Sequence, residues 1–122
     1  MVGAPQLYDR IGAGYADYRR PDPRIASAIT RALRNAAPLV NVGAGTGSYE
    51  FIDRVVVAVE PSKAMIGQRR DKAIPVVPAS AMHLPFRNGA FAASLAVLTI
   101  HHWPDYRRGL LELARVARER IA

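Results

Sequence analysis

Apolar and polar positions along the chain fall into patterns of two periods. Ile25, Ala28, Ile29, Ala32 and Leu33 recur at three- and four-residue spacing, which places them on one face of a helix over about 23–35. Asp22 and Pro23 suit its start: an aspartate oxygen accepts from a first-turn amide, and proline lacks the donor that would go unsatisfied there. Pro38 ends the segment. Leu39–Val42 then forms a short apolar run that stops at Gly43, Gly45 and Gly47, a strand followed by a tight loop. A second run, Val55–Val59, is β-branched without polar alternation, as in a strand covered on both faces of a parallel sheet. Ser62 caps a short helix to about Arg70, and a third strand runs from Ile74 to Val77 and closes at Pro78. Leu84 to Gly89 has loop composition, Phe91 to Ile100 resumes as an apolar strand, and a last helix from Asp105 carries Leu110, Leu111, Leu113, Ala114 and Ala117 at helical spacing.

This alternation of helices and strands predicts an α/β fold with right-handed crossovers and a parallel sheet. At 122 residues one domain over 1–122 is expected. Half the residues are hydrophobic and 22% charged, too apolar for a disordered chain. The net charge of +7 comes mostly from arginine. Pairs stand at Arg19 and Arg20, Arg69 and Arg70, and Arg107 and Arg108, but no basic run interleaves with aromatics. These charges are read as solvated surface, and a nucleic-acid partner is not expected. The sequence has no cysteine, so disulfides and thiolate metal sites are excluded. The first residues lack the charged and apolar regions of a signal peptide, and no stretch reaches the roughly 20 apolar residues of a membrane span. The expected location is the cytoplasm.

The glycine cluster carries the chemistry. Asn41-Val42-Gly43-Ala44-Gly45-Thr46-Gly47 lies where an apolar strand ends, the place where a doubly wound sheet binds a nucleotide-like ligand. Glu60 ends the next strand, near the offset at which a carboxylate reaches the hydroxyls of an adenosine ribose. A nicotinamide-dependent oxidoreductase is the first competing reading. Its pyrophosphate prefers Gly-x-Gly-x-x-Gly, whereas this loop is spaced Gly-x-Gly-x-Gly.

Val42 to Gly47, then Val57-Ala58-Val59-Glu60-Pro61-Ser62 and Met65, then Leu84-Pro85-Phe86, then Leu98 to Trp103, resemble the class I S-adenosylmethionine-dependent methyltransferases of the ubiquinone- and menaquinone-biosynthesis type. Tyr8-Asp9-Arg10, Tyr15 and Arg19-Arg20-Pro21-Asp22 are similar to the N-terminal cap of one bacterial branch, so 1–22 is expected to be a cap. The resemblance implies a Rossmann-like sheet and S-adenosylmethionine as cofactor. It assigns the methionine part to Asn41, Gly43, Ala44, Gly45 and Gly47, the acidic position to Glu60 with Pro61 and Met65 beside it, and the adenine to Ser80, Ala81 and Met82. Tyr15 and Arg20 correspond to the cap, or else are a packed aromatic and a surface charge. The implied activity is methyl transfer to a small-molecule acceptor.

Three positions depart from the family pattern. Asn41 replaces an acidic residue and brings no charge for the cofactor's ammonium, Ser80 replaces a carboxylate near adenine, and Ala92 replaces a strand-four aspartate. The family sheet has seven strands, of which this chain shows the first four, in order 3-2-1-4. Strand four would then be an open edge, and a second copy of the chain is expected to cover it. The second competing reading follows: an inactive, truncated module serving as a binding or dimeric scaffold. His101 and His102 follow strand four. Either could act as a general base toward the acceptor; the reading preferred is that one packs or caps the loop while Trp103 forms an apolar wall. With only His83 besides, no metal site is expected.

Overall fold

The computed structural model describes residues 22–50, 54–69 and 73–122. Helix α1 spans Pro23–Leu33, and the Asp22 side chain accepts from the Arg24 amide at 2.8 Å. It stops short of residue 35 because Arg34 turns to φ +52°. Ile29 and Leu33 of the expected stripe are buried, whereas Ala28 and Ala32 face outward. Strands β1 (Leu39–Val42) and β2 (Val55–Val59) fall where the apolar runs place them. Helix α2 is Lys63–Gly67, with Ser62 Oγ accepting from the Met65 amide at 3.2 Å. Strand β3 is Val76–Val77 and β4 is Phe91–Leu95. A 3-10 turn, Ile100–His102, leads to α3, Tyr106–Val116. Asp105 caps α3, accepting from the Arg108 amide at 3.1 Å.

Two departures from the sequence reading change the architecture. The fourth strand ends at Leu95 rather than Ile100, and Leu98 sits at φ +55°, so residues 97–99 leave the sheet and form part of its upper rim. The last helix stops at Val116, and Ala117–Ile121 is a fifth strand, β5. The sheet is wholly parallel in order β3-β2-β1-β4-β5. The expected order 3-2-1-4 is present and extended by one strand, so β4 is not an edge. Phe91 pairs with Ala117 and Ser94 with Ile121, and the Ala122 amide donates to the Ser94 carbonyl at 3.0 Å. The chain itself covers the edge at which a second copy was expected, and the ground for that dimer is removed.

Successive side chains of a strand point to opposite faces, and β1 shows it. Leu39 packs with Ile29, Leu33, Val55 and Ala93 beneath α1, while Val40 and Val42 pack with Val59, Leu113 and Val116 beneath α3. Among the described residues, no helix is long and apolar enough to cross a membrane.

Candidate active site

At the C-terminal ends of β1, β2 and β4 lies a solvent-open cavity. The glycine loop forms one wall. Gly43 and Gly45 stand at φ +70° and +57°, the left-handed region that side-chain-bearing residues avoid. The Gly43 and Ala44 amides both donate to the Val59 carbonyl, at 2.8 and 3.0 Å, tying the loop to the end of β2.

Glu60, buried at 6% exposure, joins that loop to the β2–α2 turn. Its Oε1 accepts from the Gly45 amide and its Oε2 from the Ser62 amide, each at 2.7 Å. Such short bonds to a carboxylate are the charge-assisted kind. The carboxylate is fixed in orientation by backbone on both sides before any ligand arrives.

Below the loop a second polar group is buried. Glu50 is ion-paired with Arg69, and Asn41 Nδ2 donates to the other Glu50 oxygen at 3.1 Å. Arg69 Nε has no hydrogen-bond partner among the described residues. Asn41 therefore does not stand alone as the uncharged substitute for an acid: it is bonded to a carboxylate nine residues on.

The opposite wall is held by α3. Arg108 Nε donates to the Met82 carbonyl at 3.1 Å, and Glu112 Oε1 accepts from the Leu84 amide at 2.9 Å. Arg115 donates to Glu112 Oε2 at 2.5 Å and to the Leu84 and Phe86 carbonyls at 2.9 and 2.7 Å. The Arg115 hydrogen bond, aided by the Leu84 amide and the positive charges of Arg115 and Arg108, holds the Glu112 carboxyl below the usual glutamate range despite its burial. Trp103 lines the cavity and packs on Gly109 of α3, where any Cβ would run into the indole.

Of the residues singled out from sequence, Asn41, Gly43, Ala44, Gly45, Glu60, Pro61, Met65, Ser80, Ala81 and Met82 all line this cavity, as does His102. Gly47 belongs to the same loop but not to the lining. His101 is exposed beside His102, their ring centroids 3.8 Å apart, and does not line the cavity. Tyr15 and Arg20 lie outside the described residues. Sequence reading missed Tyr49, Val97 and Thr99 in the lining, and Glu50, Arg69, Glu112 and Arg115 behind it. For Glu112 and Arg115 a signal existed in their three-residue helical spacing. For Glu50 and Arg69, 19 positions apart, there was none.

Comparison with known proteins bears on this geometry. Residues 40–120 match the family model of the methyltransferase domain. The chain is 28% identical over 120 residues to the tRNA (carboxymethyluridine(34)-5-O)-methyltransferase alkbh8 of Xenopus tropicalis, a match covering 93% of this chain and 19% of that protein. A solved SAM-dependent methyltransferase of Thermotoga maritima superposes with a TM-score of 0.79 at 26% identity, covering 92% of this chain and 56% of that one. The cyclase SpnF shares the fold at 17% identity and a TM-score of 0.75, over 96% of this chain and 57% of its own. The chain thus spans about a fifth to just over half the length of these relatives. Since the family match runs from inside β1 through the glycine loop and cavity walls almost to the end of β5, the chain belongs to the methyltransferase domain family.

Proposed function

We propose that the cavity binds S-adenosylmethionine and that the chain transfers its methyl group to a small-molecule acceptor. The observation that carries this reading is Glu60. A buried carboxylate, pinned by two backbone amides at the junction of glycine loop and β2, suits the vicinal hydroxyls of a ribose. The glycine loop fits the methionine end, Ser80, Ala81 and Met82 the adenine, and Pro61 and Met65 the space between.

S-adenosylmethionine supplies a methyl group on a positively charged sulfur, already activated for displacement by an attacking acceptor atom. The chain's own task is then orientation and exclusion of water. Val97, Leu98 and Trp103 provide an apolar wall on the acceptor side. His102, which lines the cavity, is the histidine placed to take the acceptor's proton; His101 does not line it. The Asp22 amide, where the described residues begin, donates to Tyr49 Oη at 2.9 Å, and Tyr49 lines the cavity.

Calorimetry tests the cofactor: S-adenosylmethionine is expected to bind, and tight binding of NAD alone would overturn the assignment. Transfer of labelled methyl to a small-molecule extract, run beside total tRNA, tests the acceptor. Label appearing only in tRNA would replace the small molecule with the acceptor class named for the Xenopus relative.

A further inference from the structure

Gly45 is held at both its amide and its carbonyl. The amide donates to Glu60, as described, and the carbonyl accepts from Arg69 Nη1 at 3.3 Å. Arg69 follows α2, and its side chain is 2% exposed; its ion-pair partner Glu50 is 6% exposed. Glu50 in turn accepts from Asn41 at the end of β1. A Cβ on Gly47 would lie 3.0 Å from Glu50 Oε1 and 3.3 Å from Arg69 Nη1, so the third glycine of the loop leaves room for this pair. Arg69 does not line the cavity.

Burying two charges is a poor way to gain stability, since apolar side chains of the same volume often do as well or better. Here the charges do something that apolar groups cannot, linking three separate segments through directed bonds. The planar guanidinium spans two acceptors at once, Gly45 and Glu50. We propose that Arg69 is a positioning residue of the glycine loop, and that the Glu50–Arg69 pair fixes the loop in the shape that meets the cofactor. The inference rests on the reading of the cavity as an S-adenosylmethionine site. It gives Glu50 the place left by the missing acid at Asn41, as an anchor for the loop and not as a charge offered to the ligand.

Arg69→Lys is the first test, because one ammonium cannot hold both acceptors in fixed geometry. Glu50→Gln with Arg69→Gln is the second, a neutral pair that leaves no buried charge to unfold the chain. Leu33→Ala, on the buried face of α1, is the control for lost stability. Two quantities are read: amide hydrogen exchange in the ligand-free protein, and S-adenosylmethionine affinity by calorimetry. In both Arg69 variants exchange at 44–47 is expected to rise about tenfold or more while β1 and β2 stay protected, and Kd to rise about tenfold. Leu33→Ala should lower Tm and leave the affinity as it was. Arg69 variants that exchange and bind like the wild type would overturn the proposal, as would loss of protection spread evenly over the sheet. A wild-type chain that does not bind the cofactor, with the loop still loosened in Arg69→Lys, would overturn the cofactor reading and leave the loop anchor standing.

Discussion

At the scale of single residues, Gly43 and Gly45, two of the three glycines that turn the loop, are glycine for different reasons, and the difference is measurable. A Cβ at Gly43 would run into the Thr99 side chain as well as sit at φ +70°. A Cβ at Gly45, at φ +57°, would meet nothing within 4 Å. Gly45→Ala should therefore cost only the left-handed strain, about 1–2 kcal/mol. Gly43→Ala adds overpacking and should cost about 3 kcal/mol or more. Urea denaturation of the two variants gives the order, and equal losses would contradict it. Glu60→Gln makes a different test. One amide oxygen can still accept, but the new NH2 must face either the Gly45 or the Ser62 amide, donor against donor. The expected result is a loss of about 1–3 kcal/mol in stability and at least about tenfold in S-adenosylmethionine affinity, read by denaturation and calorimetry. Glu60 and the glycines were legible in the sequence because their chemistry is local: a strand end, a turn, and a fixed offset between them. Glu50 and Arg69 were not, because nothing short of the folded chain brings the turn after α2 under the loop after β1.

At the scale of elements, α3 acts as a clamp on the segment from Met82 to Phe86 beside the cavity, and Glu112 is its hinge. The carboxyl of Glu112 is held below its ordinary range by Arg115, so its folded-state pKa lies under its unfolded one. A depressed carboxyl contributes stability that is complete above the unfolded value, about 4.3, and disappears as pH falls through the folded value. Glu112→Gln, nearly the same shape without the charge, should cost about 2 kcal/mol at pH 7, with the gap to wild type closing below about pH 4. Denaturation at pH 7 and pH 3 checks this, and a gap that stays constant would show that the charge is not the cause. Arg115→Met should be worse at pH 7, about 3 kcal/mol, because it leaves the Glu112 carboxylate buried without its partner. Element boundaries follow the same logic of local against distant causes. β1 and β2 could be read to the residue, since a short, mostly apolar run bounded by proline or arginine on one side and glycine or glutamate on the other has little freedom. The end of α3 could not: Ala117 fits the helical stripe as well as Val116 does, and only pairing with Phe91 decides that it opens a strand.

At the scale of the whole molecule, β5 decides whether β4 is covered. All five residues of β4 are buried, including Ala93, Ser94 and Leu95 at zero exposure. In Ala117-Arg-Glu-Arg-Ile121, by contrast, Arg118, Glu119 and Ile121 are exposed. That polarity hid the strand from a reading based on apolar runs. Cutting the chain after Val116 would move the edge inward to β4 and bare a row of unpaired amides and carbonyls flanked by apolar side chains. Both remedies open to the shortened chain are visible: partial unfolding, or pairing of β4 with β4 of a second copy. Truncation is therefore expected to lower Tm by about 10 °C or more, the effect of losing a few kcal/mol in a domain of this size, and to produce dimers or larger species in light scattering. A charge-keeping control, Arg118→Lys with Arg120→Lys, leaves the strand in place and should do neither. If the chain cut after Val116 stayed monomeric with an unchanged Tm, β5 would not be the element that protects β4.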